Sequence, residues 1–293
     1  ALPSTAMLVE HTAHPPDPLQ DSNLTLKYSM PSRLVFLRHG ESEANIINRA
    51  IKKGIISEYP EGFAEKPDRE IRLSRRGRDQ ALATGPWLAA QYPEGFDVIY
   101  VSDHIRAQET AALVCQAAGW NDTLIRIDPQ LGERNWGRFA LADLELRNEI
   151  MELRKRDPLH VPMPDGETLL ETRSRARILL DRAARQFAGQ RVLVFSHGEY
   201  IEAVWAEIAH MPTEEQLEFF HSDAGDIKNC QIVEFGSDGP SQATYDGKLR
   251  WVRSSCPQAE IFGDWAQILP KLFTPAQLLE TVDKYPNLEF PEI

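Results

Sequence analysis

The chain has 293 residues, of which 42% are hydrophobic and 26% are charged, and its formal net charge at pH 7 is -12. This composition is typical of a globular protein with enough apolar residues for a core. The negative charge argues against a protein that binds nucleic acid or an anionic membrane through a generally basic surface. An anion would have to bind in a locally positive pocket, so each arginine in a candidate site is informative.

The cysteine pattern and the hydropathy give an expectation about the compartment. The three cysteines, Cys115, Cys230 and Cys256, show neither a disulfide framework nor metal-ligand spacing. We interpret them as buried or partly buried small side chains, which fits a reducing compartment. No apolar run approaches the roughly 18 residues that span a bilayer, and the first residues lack the basic and apolar regions of a signal peptide. We therefore expect a cytoplasmic protein.

The first 30 residues differ from the rest of the chain. They are rich in Pro, Ser, Thr and Asp and show no sustained helical or strand period, which predicts an irregular extension. Met30 is a candidate native start, in which case the preceding residues were added for expression. We assign residues 31–293 to one domain, with a tail from about residue 254 that packs against it.

From Pro31 onward, short apolar runs alternate with helical patterns. Four runs rich in Val, Ile and Phe predict strands that are buried on both faces of a sheet. They cover residues 33–37, 97–101, 191–195 and 231–235. Strands that alternate with helices are typical of an α/β fold. We expect a three-layer sandwich, with a mainly parallel central sheet flanked by helices.

One helix is indicated by an apolar stripe and a cap. Thr168 and Glu171 have the spacing of a capping box, which predicts that the helix starts just after Thr168. The stripe recurs at spacings of seven, four, three and four residues, which places its members on one helix face. Its members are Leu169, Ala176, Leu180, Ala183 and Phe187.

Two further local signals concern a helix start and a turn. Ser74 is a candidate cap for a second helix, which Gly85-Pro86 should kink or break. The segment 244–251 resembles a hairpin that turns at Asp246-Gly247.

Polar residues follow several of the predicted strands. "LVFLRHGE" and "VLVFSHGE" both pass from an apolar run into His-Gly-Glu. Ligands of parallel sheets bind beyond the carboxyl ends of the strands, so His39 and His197 should meet at one edge. Arg106 follows a third strand, and Glu133 lies in a loop bounded by glycines.

These residue types together suit phosphoryl transfer. The guanidinium groups of Arg38 and Arg106 can bind two phosphate oxygens in a fork. One neutral histidine can attack phosphorus, and the other, if protonated, can donate where charge accumulates. A carboxylic acid can protonate the leaving alcohol and later activate water. We expect no metal or other cofactor, because the positive side chains supply the neutralising charge.

Each residue also has a structural explanation when taken singly. His39 could cap a helix, Arg106 could form a surface ion pair, and Glu133 could be solvated beside Arg134. A metal site built on His39 and His197 with nearby carboxylates is an alternative, since histidine is a common ligand. Two adjacent arginines make a divalent cation there less favourable.

The combination of motifs resembles the histidine phosphatase superfamily, the branch that includes cofactor-dependent phosphoglycerate mutases and many small-molecule phosphatases. The motifs occur in the family's order and span residues 33–235. They are "LVFLRHGESEAN" (34–45), "LSRRGRDQA" (73–81), "VSDHIRAQETA" (101–111), "LGERNWG" (131–137), "PDGET" (164–168) and "VFSHGE" (194–199). The resemblance implies a phosphoglycerate mutase-like fold.

The same resemblance implies roles for individual residues. His39 would be the nucleophile that becomes phosphohistidine, and Glu133 would be the proton donor. Arg38, Arg106 and His197 would form the phosphate pocket, and Asn45 would contact the phosphoryl group.

Several differences from the mutases favour a phosphatase. Ala44 stands where the mutases typically carry Trp, and Asn135-Trp136 replaces the usual His-Tyr pair. "PDGET" resembles a turn common in the phosphatases. The segment 152–164 points the other way, because a basic pair followed by prolines is similar to the carboxylate grip of the mutases. Phosphoglycerate mutase activity therefore stays as the alternative function.

Two segments should set the substrate, because long loops carry specificity. They are residues 46–72, with Arg49, Lys52, Lys53 and Lys66, and residues 141–163, with Arg147, Arg154, Lys155 and Arg156. A basic residue on either segment could meet a second acidic group of the substrate, although solvated helix faces explain most of them equally well.

We expect a small phosphorylated substrate as the partner. A sugar phosphate, a nucleotide, a phosphoglycerate and a phosphoprotein all stay open, and the sequence does not indicate the oligomeric state. A non-catalytic phosphate-binding or scaffold protein is a third alternative. The intact Glu133 argues against it, because binding alone needs no proton donor.

Overall fold

The computed structural model describes residues 28–63, 65–137, 144–157, 159–239, 245–285 and 287. Most of the predicted N-terminal extension, residues 1–27, lies outside the described residues, as do the side chains of Arg147, Lys155 and Arg156. No helix in the described part of the chain is both long and apolar enough to cross a membrane.

All four predicted apolar runs form strands, and the structure has four further strands in the described residues. They are β1 (Arg33–Arg38), β2 (Val98–Val101), β3 (Ile125–Ile127), β4 (Arg191–Ser196), β5 (Ile232–Gly236), β6 (Trp251–Cys256), β7 (Ile261–Phe262) and β8 (Ala266–Gln267). The helices are α1 (Glu43–Lys52), α2 (Arg75–Gln91), α3 (Ile105–Ala117), α4 (Leu144–Arg156), α5 (Leu169–Gln186), α6 (Gly198–Ile208), α7 (Thr213–Phe220) and α8 (Pro275–Val282).

These strands form one sheet in the order β3-β2-β4-β1-β5-β6-β7, with β8 also paired to β6. The described strands from β3 to β1 are parallel, whereas β5 is antiparallel to β1 and the strands beyond it continue antiparallel. The sheet is therefore mixed. Its parallel half carries the edge at which we predicted the site.

Helices cover both faces of the sheet, which confirms the three-layer α/β fold. Alternate side chains of a strand point to opposite faces. Phe36 of β1 thus packs in a cluster with α5 and α6, whereas Val35 packs with α2 and α3. Both side chains are fully buried.

Helix α5 begins as the capping pattern predicts. The Thr168 hydroxyl accepts a hydrogen bond from the Glu171 backbone N–H, and the Glu171 carboxylate accepts one from the Thr168 N–H. Most of the predicted stripe is buried, with Leu179 deeper than Leu180.

The predicted break of α2 is wrong. Ser74 does cap this helix, because its hydroxyl accepts from the Gly77 N–H, but the helix then runs through Pro86 to Gln91. Gly85 lets α2 approach α3 closely, since a Cβ atom there would lie 2.6 Å from the Val114 carbonyl oxygen. Tertiary packing against α3 outweighs the hydrogen bond that proline removes.

The predicted hairpin at 244–251 also needs correction. Residues 245–250 form no strand, and residue 244 lies outside the described residues. A turn does occur, with Gly247 at φ +79°, but it belongs to the connection between β5 and β6. The antiparallel partners of Trp251 are Gly236 and Gln267, so the pairing is with more distant strands.

Candidate active site

The two histidines of the His-Gly-Glu segments meet at one edge of the sheet, as predicted. Strands β1 and β4 are parallel neighbours in which Arg38 lies opposite Ser196, so the residue after each strand projects from the same edge. The ring centroids of His39 and His197 lie 5.0 Å apart. Both residues are almost completely buried.

The hydrogen bonds of His39 select one tautomer. Its Nδ1 lies 2.7 Å from the Gly40 carbonyl oxygen. Because a carbonyl oxygen only accepts, Nδ1 must carry the proton. Nε2 then carries a lone pair, which accepts a hydrogen bond from the Arg106 Nε–H at 3.3 Å.

The surroundings of His39 keep the ring neutral. Burial lowers the pKa of His39 well below its ordinary value, and the positive charges of Arg106 and Arg38 lower it further. Burial disfavours the charged form of an imidazole, and a nearby cation acts in the same direction. The ring is therefore neutral at pH 7.

We expect NMR to show His39 still neutral at pH 6.5, the ordinary pKa of histidine. Because the pKa of His39 is lowered, the ring should become half-protonated only at a pH below 6.5. Any reaction step that needs the neutral ring should be lost as the pH falls through that lower value. A nitrogen-detected pH titration measures this, with His39→Asn to assign the signal. The shifts should also show the proton on Nδ1. A ring half-protonated at or above pH 6.5 would contradict the description.

His197 caps the N-terminus of α6 by its position. Its Nε2 lies 2.9 Å from the Ser102 hydroxyl, whereas its buried Nδ1 has no hydrogen-bond partner among the described residues. Burial lowers the pKa of His197, as do the charges of Arg106, His39 and His104. The ring is thus neutral without ligand, and if the Ser102 hydroxyl donates to Nε2, Nδ1 carries a proton that can be donated to a phosphoryl oxygen.

Arg106 lies between His39 and an acidic turn. It is 4% exposed. Its Nη2 lies 2.9 Å from Asp68 Oδ2, and its Nη1 donates to the backbone oxygen of Asp68 at 2.7 Å and to Oδ1 at 3.2 Å. The acidic partner comes from the segment 46–72, which we expected to contact the substrate through its basic residues.

Arg38 reaches across the start of α6. Its Nη1 donates to the backbone oxygen of Ile227, and its Nε is buried without a hydrogen-bond partner in the part of the chain that the structure describes. A Cβ atom on Gly198 would lie 3.5 Å from the guanidinium carbon, so the glycine leaves room for this side chain. Arg38 therefore adds positive charge beside both histidines.

Glu133 lies in a loop that a neighbouring helix holds in place. Arg175 of α5 donates from Nη1 to the Gly132 oxygen at 3.1 Å and from Nη2 to the Glu133 oxygen at 3.3 Å. The arginine is itself paired with Glu167, Nε to Oε1 at 2.7 Å. "PDGET" thus has a structural task, which is to fix the backbone that carries Glu133.

The half-buried Glu133 belongs to an acidic group near α6. Burial raises the pKa of Glu199, and the negative charge of Glu133 raises it further, although Arg134 opposes this. Burial likewise raises the pKa of Glu202 to about 9. Arg134 is 1% exposed and pairs with Glu199, Nε to Oε2 at 2.8 Å. Glu202 therefore stays protonated at neutral pH near Glu133, whereas Glu199 is held by its ion pair with Arg134.

Asn45 is tied into the start of α1. Its Oδ1 accepts from the Ser42 N–H at 3.0 Å and from Asn229 Nδ2 at 3.1 Å. Asn229 Nδ2 also donates to the His39 oxygen at 3.1 Å. The amide nitrogen of Asn45 can donate to a ligand, while its oxygen supports the loop that carries His39.

The predicted substrate-facing basic residues are largely engaged elsewhere. Arg49 pairs with Glu41 at 2.6 Å, and Lys66 pairs with Glu43 at 3.2 Å. Arg154, which is 8% exposed, lies over the Trp136 ring at 5.5 Å. Lys52 and Lys53 are exposed.

Sequence reasoning missed two residues of the site. His104 lies edge-on to His197, with ring centroids 4.6 Å apart, and its Nε2 lies 3.1 Å from Asp68 Oδ2. His104 was visible in "VSDHIRAQETA", two residues before Arg106. Asp68 had no local signal, because nothing in the segment 46–72 sets it apart from its acidic neighbours. Among the described residues, no group of three or more His, Cys, Asp or Glu side chains could hold a metal ion.

Comparison with known proteins places this geometry in context. The chain is 28% identical over 197 residues to a 2,3-bisphosphoglycerate-dependent phosphoglycerate mutase of Parvibaculum lavamentivorans, covering 64% of this chain and 85% of the relative. A mutase with the same description from Methylobacterium radiotolerans is 35% identical over 183 residues, covering 60% of this chain and 78% of the relative.

Solved structures show the same fold. A putative alpha-ribazole-5'-P phosphatase from Escherichia coli superposes with a TM-score of 0.54 at 23% identity, covering 75% of this chain and 96% of that one. A mycobacterial glucosyl-3-phosphoglycerate phosphatase in complex with VO3 also gives 0.54, at 22% identity, covering 70% and 92%. A family model matches residues 34–245, which include every site residue predicted from the sequence, and the chain therefore belongs to the histidine phosphatase superfamily (branch 1).

Proposed function

We propose that this protein is a phosphomonoester hydrolase that acts through a phosphohistidine on His39. The observation that carries the proposal is the state of that ring. Its Nδ1 donates to the Gly40 oxygen at 2.7 Å, its pKa is lowered by burial and two arginines, and its unprotonated Nε2 accepts from Arg106 Nε at 3.3 Å. A neutral, oriented imidazole beside a guanidinium is suited to attack a bound phosphoryl group.

The reaction proceeds in two displacements. In the first, His39 Nε2 forms a bond to phosphorus while the bond to the ester oxygen breaks, and Glu133 gives its proton to the departing alcohol. In the second, the Glu133 carboxylate takes a proton from water, whose oxygen attacks the phosphohistidine and releases phosphate. Arg38, Arg106 and His197 supply positive charge and hydrogen-bond donors to the phosphoryl oxygens in both steps.

The choice of water as acceptor rests on residues near Glu133 and in the first motif. Ala44 replaces a Trp typical of the mutases. Trp136 lies in the loop after Glu133, and the Arg134 guanidinium lies over its ring, 4.3 Å from the ring centroid. The mutase names of the curated relatives favour the second candidate function, transfer to another oxygen of a held phosphoglycerate.

A product analysis distinguishes the two functions. The purified protein is assayed in EDTA against an aryl phosphate, sugar phosphates, nucleotides and 3-phosphoglycerate, and both free phosphate and isomerised product are followed. We expect free phosphate at a rate that EDTA leaves unchanged, because the arginines neutralise the charge. Isomerised 3-phosphoglycerate with little free phosphate would establish the mutase instead. Ligand binding without any product would favour a non-catalytic binding protein.

A further inference from the structure

The phosphate-binding arginine has an acidic partner that the reaction scheme does not use. Asp68 lies at the start of the short 3-10 turn Asp68–Glu70, and its carboxylate is half-exposed at 54%. Both carboxylate oxygens and the backbone oxygen of this residue accept hydrogen bonds from Arg106. One residue therefore engages three of the five N–H donors of the guanidinium.

The direction of these bonds decides what they do. Asp68 binds the end of the guanidinium formed by Nη1 and Nη2. The Nε–H lies on a different edge, which faces His39 Nε2 at 3.3 Å. That edge also includes the second Nη2–H, and such a pair of parallel donors matches two oxygens of a phosphoryl group. Asp68 thus holds the arginine from one end and keeps this other edge directed at His39, where the Nε–H donates to Nε2.

The same carboxylate is linked to the second histidine of the pocket. Asp68 Oδ2 lies 3.1 Å from His104 Nε2, and His104 Nδ1 lies 3.2 Å from the Ser102 hydroxyl. That hydroxyl lies 2.9 Å from His197 Nε2. A continuous path of polar contacts therefore joins Asp68 to the ring whose Nδ1 is left for the phosphoryl group.

The turn that carries Asp68 is firmly anchored. Ile71 and Leu73, just beyond it, are each 4% exposed. Leu73 pairs with Ser42 in an isolated β-bridge, and its N–H donates to Glu109 Oε2 at 3.1 Å. An anchored backbone can hold a side chain in a fixed place, as positioning requires.

The charge state of Asp68 fits this arrangement. Burial alone would raise the pKa of Asp68, but hydrogen bonds and positive charge from His104 and Arg106 outweigh it and hold the pKa below its ordinary value. The carboxylate is thus ionised at neutral pH and can orient a cation.

We propose that Asp68 is a positioning residue, which orients the Arg106 guanidinium and, through His104 and Ser102, the His197 ring for the phosphoryl group. The inference rests on the proposed function, because it assigns Arg106 to a phosphoryl group bound at His39. It makes the segment 46–72 a source of phosphate-pocket geometry as well as of substrate contacts.

The test compares Asp68→Asn and Asp68→Ala with Glu70→Gln. Glu70 lies on the same turn and pairs with the exposed Arg69 at 3.1 Å, so its variant removes the same charge without touching Arg106. We expect kcat/KM to fall by about 10- to 100-fold in the Asp68 variants and to stay within about twofold in the control. Inorganic phosphate should bind more weakly to the Asp68 variants by calorimetry, and Asp68→Glu should recover part of both losses.

Two results would overturn the inference. If Asp68 instead competes with phosphate for Arg106, its removal would tighten phosphate binding and raise kcat/KM. If Asp68 only stabilises the fold, the Tm of its variants would fall, while the kcat/KM and phosphate affinity of the folded fraction would match those of Glu70→Gln. Phosphate binding separates this from failure of the proposed function. A wild-type protein that binds phosphate but hydrolyses no ester refutes the function alone, whereas one that binds no phosphate refutes both.

Discussion

The His39→Ala variant is expected to lose phosphate release by a factor on the order of 10⁴ or more, because it lacks the nitrogen that we propose as the nucleophile. His197 is poorly placed to substitute, since its Nε2 lies 2.9 Å from the Ser102 hydroxyl. The measurement is kcat/KM for the best ester of the panel, together with an alkaline quench that traps phosphohistidine in the wild-type protein. The variant should form no such adduct.

Two controls separate chemistry from folding. His221→Ala removes an exposed histidine at the end of α7, outside both segments that we expect to set the substrate, and should leave turnover unchanged. His39→Asn keeps a polar side chain in the buried position. If the cavity left by alanine unfolds the His39→Ala variant, His39→Asn provides a second test of the nucleophile. Turnover of a folded His39 variant within tenfold of the wild type would show that another group is the nucleophile.

Glu133→Gln should reduce the hydrolysis of alkyl phosphates by about 10²- to 10⁴-fold, because a glutamine cannot protonate the leaving oxygen. An aryl phosphate with a stable phenolate leaving group needs little protonation in the first displacement. Its first step should therefore be far less affected, and the phosphohistidine should accumulate, since the second step has lost its base. Rapid-quench kinetics with both ester types measures this difference.

The matched control for Glu133 is Glu280→Gln, which neutralises an exposed carboxylate on α8, outside both segments that we expect to set the substrate. An equal loss for alkyl and aryl esters in Glu133→Gln would show that the carboxyl group supports the loop rather than transferring a proton. The Arg175 bonds to this loop use backbone oxygens and do not involve the replaced carboxyl group. The Tm of Glu133→Gln should therefore stay near that of the wild type, and a large fall in the Tm would indicate loss of the fold.

The parts of the fold that follow from local patterns were predictable. The apolar runs 33–37 and 191–195 are strands because Val, Leu and Phe suit a surface buried on both sides, and their shared ending brings His39 and His197 together. The Thr168–Glu171 capping box also depends only on neighbours in sequence. The strands and the cap have their cause within a few residues, and the meeting of the two histidines follows from the general rule for the carboxyl ends of parallel strands.

The errors concern features whose cause is distant in sequence. Helix α2 continues through Pro86 because Gly85 packs on α3, which no local rule contains. The expected hairpin failed because the partners of Trp251 lie on β5 and β8. Asp68 belongs to the site only because its turn folds back over Arg106, 38 residues away.

The contact between the first loop and α2 has a consequence for protein engineering. A Cβ atom on Gly40 would overlap the carbonyl oxygen of Gly77, and one on Gly77 would overlap that of Glu41. The two backbones thus occupy space that ordinary side chains would need, although the segments are far apart in sequence. A graft of the loop that carries His39 into another scaffold must therefore include the start of α2. Recombination of two homologous sequences at a point between residues 41 and 77 should succeed only when both parents have glycine at positions 40 and 77.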